Sequence, residues 1–257
     1  MKKILNLLKY TESKSIYDLD DIAATEAHGK IIKKKPFLRK LYTNYYNQFL
    51  RKLNMEHNKT IIELGSGGGF IKEIIPEAIT SDIKCLSNVD MCFPVEKIPF
   101  GNSTVDAFLM LFVFHHLNNP EISLAEMQRC LKKGGKIIMI EPANTWWGRL
   151  IFKRLHHETF DEDSLWDTYM GGAMSSANIA LPWILFFRDR ELFNKKFPSF
   201  KIKKIKYHSP FIYILSGGLQ YRQLVPSFTY GWFIFIEKIL SPLNKYIGMF
   251  MTIEIDA

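Results

Sequence analysis

Short apolar runs closed by polar or glycine-rich turns dominate the middle of the chain. Ile61-Ile62-Glu63-Leu64 reads as a buried strand with an acid near its carboxyl end. Gly65, Gly67 and Gly69 follow at alternate positions and lead into Phe70, Ile71, Ile74 and Ile75, whose spacing predicts an apolar helix. Residues 78–83 read as a second short strand ending on Asp82. Residues 105–114 are almost wholly apolar, as a strand buried on both faces is. Asn119-Pro120 supplies a cap and a first turn for a helix whose apolar face is Ile122, Ala125, Met127, Cys130 and Leu131. Lys132-Lys133-Gly134-Gly135 ends that helix, residues 136–140 form the next strand, and Glu141-Pro142 closes it.

Beyond this core, residues 189–197 read as a helix stopped by Pro198. Residues 200–207 alternate apolar and basic positions, as a half-exposed strand does, and residues 248–255 read as the last strand. The pattern predicts an α/β fold. Residues 1–58 are a helical segment preceding the sheet. Residues 59–257 form the domain, with aromatic insertions at about 143–188 and 208–247 that are placed to act as a lid. At 257 residues this is one domain with additions.

A strand, a glycine turn and a helix bind nucleotide-like ligands at the carboxyl ends of strands. A dinucleotide fingerprint needs glycine at its first, third and sixth positions, and the sixth position from Gly65 is Phe70. Glu63 would repel a pyrophosphate but suits a ligand carrying an ammonium and a sulfonium. Asp82 lies 82 − 63 = 19 positions further on, where an acid accepts hydrogen bonds from a ribose diol.

The Glu63 to Gly69 spacing resembles the first motif of class I S-adenosylmethionine-dependent methyltransferases. Ile98-Pro99-Phe100, His115-His116, the Lys132 to Gly135 turn and Glu141-Pro142 resemble the type 11 methyltransferase group over about residues 59–142. The resemblance implies a class I methyltransferase sandwich, a Rossmann-like, mostly parallel sheet with an antiparallel last strand, and S-adenosylmethionine as cofactor. Gly65, Gly67 and Gly69 would line its methionine part, with Glu63 near the ammonium and Asp82 on the ribose. The group commonly carries an Asp-Ala pair whose acid reaches the adenine amino group. Pro94 and Val95 stand there instead, so that carboxylate is missing and the backbone of Val95 is left to edge the adenine.

His116, His115 and Glu141 fall at strand ends and are the candidate catalytic residues, with His116 the first choice of base. His157, Asn178, Tyr221 and Arg222 are the candidate acceptor contacts. His156-His157-Glu158 lacks a metal-ligand spacing, so no metal is expected. The expected reaction is methylation of a small-molecule, glycan-type or lipid-linked acceptor at oxygen. A peripheral membrane enzyme acting on a lipid or quinone is the alternative, and a non-catalytic cofactor-binding protein is another.

The net charge of +8 is spread in small groups with no nucleic-acid module beside them, so no nucleic-acid partner is expected. Cys85, Cys92 and Cys130 show no metal or redox spacing and fit a reducing cytoplasm, with Cys85 read as a small buried hydrophobe. Residues 1–10 read as an amphipathic helix, not a signal peptide. The apolar stretch 228–240 reads as a helix buried against the sheet, with an interfacial helix as the rival.

Overall fold

The computed structural model describes residues 9, 20–53, 59–156, 158–167 and 177–257. Residues 1–8, His157 and Ser175-Ser176 lie outside them. Seven strands form one sheet: β1 (Ile61–Leu64), β2 (Ile79–Asp82), β3 (Met91–Cys92), β4 (Val105–Leu111), β5 (Leu131–Pro142), β6 (Lys201–His208) and β7 (Phe250–Asp256). Their order across the sheet is β3-β2-β1-β4-β5-β7-β6. β1 to β5 pair in parallel, and β7 runs antiparallel between β5 and β6.

The central strands are buried on both faces, which is why they read as continuous apolar runs. Ile62, Leu64, Phe108, Met110, Ile137 and Met139 face one core. Ile61, Ala107, Leu109, Ile138 and Ile140 face the other. Neighbouring residues therefore point to opposite layers, as the strand period of two requires.

On the second face lie α1 (Ile22–Lys34) and α2 (Pro36–Leu50). Asp21 caps α1 by accepting the amide of Ala23, and Pro36 opens α2, where its missing N–H costs nothing. Lys35 between them is buried; its ammonium donates to the carbonyls of Gly218 and Tyr221, and burial lowers its pKa to about 7. The first face is covered by α3 (Pro120–Cys130), which Asn119 caps as expected through the amide of Ile122 at 3.0 Å. After β5 come α4 (Trp146–Leu155), a helical segment at 181–188 and α5 (Arg190–Lys196). After β6 come α6 (Ile212–Ser216) and α7 (Tyr230–Ile239).

Four sequence expectations are corrected. The helix after the glycines is only a 3-10 turn, Ile71–Glu73, because Pro76 leaves no room before β2. The apolar run from Val105 leaves the sheet at Leu111, and Phe112 turns with φ +60 instead of extending the strand. Cys85 is exposed, not buried, and is disulfide-bonded to Cys92 across the β2–β3 connection. Helix α7 buries none of its residues: Trp232 is 75% exposed, and Phe235 and Ile239 are each 62% exposed. It is held by Tyr230 and Phe233, whose rings pack edge-on against Phe37 of α2, and by Glu237, whose Oε1 accepts the amides of Phe211 and Ile212.

Candidate functional site

The carboxyl ends of β1, β2 and β4 open into a cavity of about 260 Å³. Its floor is the glycine turn. Gly65 (φ +65) and Gly67 (φ +49) take left-handed backbone that other residues adopt only at a cost. A Cβ on Gly65 would also fall 2.6 Å from the Val113 side chain. Gly69 serves packing, since a Cβ there would meet the Tyr46 hydroxyl at 2.3 Å.

The two acids that sequence reading singled out meet at this turn. Asp82 accepts the amide of Gly67 at 2.8 Å with one oxygen and that of Lys84 at 2.9 Å with the other. Ser81 donates to the Glu63 carbonyl at 2.9 Å, and Ser66 donates its amide to Ser81, so the ends of β1 and β2 are tied together. The Glu63 side chain is 2% exposed, and its Oε2 has no hydrogen-bond partner among the described residues. Burial raises its pKa to about 8; the hydroxyls of Ser66 and Tyr46 oppose the rise and the charge of Asp82 adds to it. A buried carboxylate with an unmet oxygen is costly alone and well matched to a cationic donor.

The wall over the turn comes from the N-terminal helices, which sequence reading left without a role. Thr25, His28 and Ile32 of α1 and Tyr42 and Tyr46 of α2 line the cavity. α1 comes this close because Gly29 lies against Gly68: a Cβ on Gly68 would be 2.4 Å from the Gly29 backbone. Only a glycine pair in two separated segments signals this contact. Val95 lines the cavity beside Phe93 and Glu96, while Pro94 is exposed outside it.

The other end is aromatic. Phe112, held at φ +60, packs edge-on to Tyr42, Tyr45 and Tyr213 and against Phe250 at 4.8 Å. Phe152 of α4, Tyr213 of α6 and Ile179 bring both insertions to this wall.

Between the two ends sits a histidine–carboxylate cluster. His115 and His116 lie on the 3-10 turn after β4, where their rings overlap at 4.2 Å and both line the cavity. Glu141 is fully buried behind them. Its Oε1 accepts the amides of Val113 and Phe114, and its Oε2 is 2.6 Å from His115 Nδ1. Glu141 therefore positions the turn and the imidazole without lining the cavity. Glu158 faces the same two rings, 3.4 Å from His115 Nε2 and 3.9 Å from His116 Nε2, with His156 Nδ1 at 3.7 Å. Burial alone would lower the His115 pKa, but Glu141 and then Glu158 push it up to about 10. Burial would raise that of Glu158; His115, His116 and His156 instead hold it well below the usual carboxylate range. Glu158 and His156 were set aside in sequence reading, because only folding brings them to His115.

The expected acceptor contacts fare differently. His157 lies outside the described residues. Asn178 is buried and occupied: its amide group donates to Asp161 and Ser164, and its carbonyl accepts from Asp161 and Ala180. Tyr221 and Arg222 sit against the Gly217 turn and Lys35, away from the cavity. The structure thus does not bring Asn178, Tyr221 or Arg222 into the site.

Residues 62–139 match the family described as a methyltransferase domain. The ubiquinone/menaquinone biosynthesis C-methyltransferase UbiE of Citrifermentans bemidjiense is 32% identical over 129 residues, 49% of this chain and 51% of its own length. UbiE of Cupriavidus taiwanensis is 37% identical over 51 residues, 20% of this chain and 21% of its own. The chain thus spans from a fifth to about half of the relatives it matches. Among solved structures, one from a complex between the Haloferax volcanii Trm112 methyltransferase activator and a methyltransferase superposes with a TM-score of 0.53, at 15% identity over 93% of this chain and 96% of the other. A SAM-dependent methyltransferase from Archaeoglobus fulgidus gives 0.52, at 12% identity over 85% and 94%. These structures share the fold, that of class I methyltransferases.

Proposed function

We propose that the chain, whose residues 62–139 match the methyltransferase domain family, transfers a methyl group from S-adenosylmethionine to a small, largely apolar acceptor. The observation that carries this reading is buried Glu63, with an unmet oxygen, beside the left-handed glycines and Asp82. When bound, S-adenosylmethionine supplies an electrophilic methyl group on a sulfonium. Glu63 receives an ammonium and balances its charge. Asp82 uses its remaining lone pairs on a ribose diol while its backbone bonds keep it aimed. Gly65 and Gly67 let the backbone approach without a Cβ, and Val95 with Phe93 edges the adenine.

The acceptor lies against Phe112, Phe152, Tyr213 and Phe250. Such a wall favours a flat, apolar molecule over a polyhydroxylated glycan. The named activity of the UbiE relatives, on quinones, fits that wall. Oxygen is the acceptor atom in this reading, since an imidazole can take a hydroxyl proton; the UbiE relatives are named C-methyltransferases, and the product of turnover on a quinol separates the two. His115 is an imidazolium at neutral pH and Glu158 is ionised, so neither takes a proton readily; His116 is the remaining base.

Calorimetry with S-adenosylmethionine, followed by turnover with quinol acceptors, tests the reading. Asp82→Ala removes charge-assisted hydrogen bonds worth about 1.5–3 kcal/mol each, so affinity falls at least tenfold. Unchanged affinity in Asp82→Ala and Glu63→Gln refutes the site. Binding without turnover on any acceptor supports the non-catalytic alternative.

A second reading is favoured by one observation. The exposed Trp232, Phe235 and Ile239 of α7 share that helix with Lys238, and α7 packs beside α6, which carries cavity-lining Tyr213. No helix among the described residues is long and apolar enough to cross a membrane. On this reading α7 lies in an anionic lipid surface and the acceptor enters from it. Co-sedimentation with anionic vesicles that is unaltered in Trp232→Ser/Phe235→Ser removes it.

A further inference from the structure

We propose that His115, His116 and Glu158 form a binding site for one divalent transition-metal ion at the acceptor end of the cavity, with Glu141 as the outer carboxylate that orients His115. The sequence places these residues in two distant clusters, and neither has a ligand spacing. Folding brings one donor atom from each of the three within 4.8 Å of the others.

The local structure serves this meeting. The 3-10 turn after β4 sets two consecutive imidazoles on one side, ring against ring. Glu158 follows α4, and its neighbour Thr159 pairs with Asn178, whose own amide donates to the His115 carbonyl at 3.0 Å. The segment carrying Glu158 is thereby fastened to the turn carrying the histidines. This gives Asn178, with all its side-chain atoms occupied, a positioning role.

The distances suit a metal. Bonds of about 2.0–2.1 Å to a four-coordinate ion place neighbouring ligand atoms about 3.3 Å apart. The two Glu158 oxygens stand 3.4 Å from His115 Nε2 and 3.9 Å from His116 Nε2, and one donor from each residue lies within 4.8 Å of the others, so side-chain adjustments of about 1 Å bring them to that spacing. Glu141 holds His115 Nδ1, so Nε2 becomes the ligating atom once it gives up its proton to solvent as the ion binds; a carboxylate behind a ligating histidine is the common outer partner of such sites. His156 on the far side of Glu158 steadies the carboxylate.

The donor set identifies the class of ion. Two imidazoles and one carboxylate suit zinc, iron(II) or cobalt(II), not the all-oxygen preference of magnesium or calcium. Three protein ligands leave a coordination position facing the cavity, the arrangement of a catalytic and not a structural site. The site stands on geometry alone; only its use rests on the proposed methyl transfer. There the ion would hold a hydroxyl or enol oxygen of the acceptor and lower its pKa; His116 is then a ligand, and it serves as base only in the metal-free chain.

The test is a cobalt(II) titration of the chelator-treated full chain, read by visible absorption, with circular dichroism as the folding control. The expected result is one equivalent of bound cobalt, displaced by zinc, with the spectrum lost in His116→Gln and Glu158→Gln. Glu141→Gln should weaken binding by about 10–100-fold. Absence of a cobalt spectrum overturns the proposal, and so does a stoichiometric spectrum that survives in folded His116→Gln and Glu158→Gln. Calorimetry with S-adenosylmethionine on the same samples keeps the two readings apart: cofactor heat without cobalt binding refutes the metal site alone.

Discussion

Glu63 makes cofactor affinity depend on pH in a direction that can be calculated. Its carboxyl is buried, with a pKa raised from 4.5 to about 8, so at neutral pH most chains carry it protonated. Receiving an ammonium requires the charged form. At pH 7 the ionised fraction is about one in ten, and ionisation costs about 1.4 kcal/mol; at pH 6 it costs twice that. The ligand's α-ammonium has an ordinary pKa of about 7.7–8.0 and loses its proton above that range. The product of the two fractions peaks near pH 8. Affinity then falls about threefold from pH 8 to 7 and nearly tenfold more from pH 7 to 6.

The perturbation is Glu63→Gln, which keeps the shape and removes the titration. The assay is isothermal calorimetry with S-adenosylmethionine from pH 6 to 9, in buffers of different ionisation enthalpy so that proton release is counted. The wild-type chain should release a proton on binding below pH 8. Glu63→Gln should bind more weakly at pH 8 and show no acid limb. The sign for folding runs the other way. A carboxyl whose folded pKa is raised favours the folded state below its unfolded pKa, and that contribution is lost as pH rises from 4.5 to about 8. Glu63→Gln should therefore gain stability relative to wild type across that window while losing affinity. A flat affinity from pH 6 to 8 in wild type, or an acid limb that persists in Glu63→Gln, refutes the assignment of the ammonium to this acid.

Gly68→Ala puts a Cβ 2.4 Å from the Gly29 backbone; it should cost about 1–3 kcal/mol of stability, measured by urea unfolding, and weaken cofactor binding by lifting α1. The Cys85–Cys92 bond closes a short loop, separation seven, beside Asp82; reduction or Cys85→Ser should cost about 2.5 kcal/mol from loop entropy, and equal melting curves with and without reductant would show that the bond contributes nothing. His208 is buried with a pKa lowered to about 3 by burial, Lys206 and Lys52. The unfolded chain binds its proton first, so stability is present above pH 6.5 and falls with acid toward pH 3, by up to about 1.4 kcal/mol per unit. His208→Gln should remove that part of the slope in pH-dependent unfolding.

What was legible in the sequence was whatever is encoded over a few neighbouring residues. β1, β4 and the 136–140 part of β5 showed as apolar runs because both their faces are buried, whereas the start of β5, Leu131 to Gly135, read as the end of a helix. The Glu63 to Gly69 spacing and the acid ending β2 were readable because both lie at strand ends. The cap at Asn119 was readable as a local pattern. Length was harder to see: the post-glycine helix shrank to one turn because Pro76 follows too soon. Helix α7 shows why burial is not a property of a segment. Its apolar content reads the same whether a sheet or a lipid surface covers it, and here the sheet does not. Asn178, Tyr221 and Arg222 were acceptor candidates by resemblance alone, and a resemblance says nothing about where a side chain points.

The functional chemistry depended on meetings between distant segments. Glu158 is an ordinary acid until its segment packs beside the β4 turn, where it joins two imidazoles. The N-terminal helices are ordinary amphipathic helices until Gly29 meets Gly68, where they become the wall that encloses Glu63. That enclosure raises the Glu63 pKa, so the same contact that shuts water out of the cradle also sets the pH at which the cradle can accept its cation. Prying α1 away with a side chain at Gly68 should therefore lower the Glu63 pKa as well as the affinity. The pH maximum of binding would move toward acid in Gly68→Ala, a shift that simple misfolding would not produce.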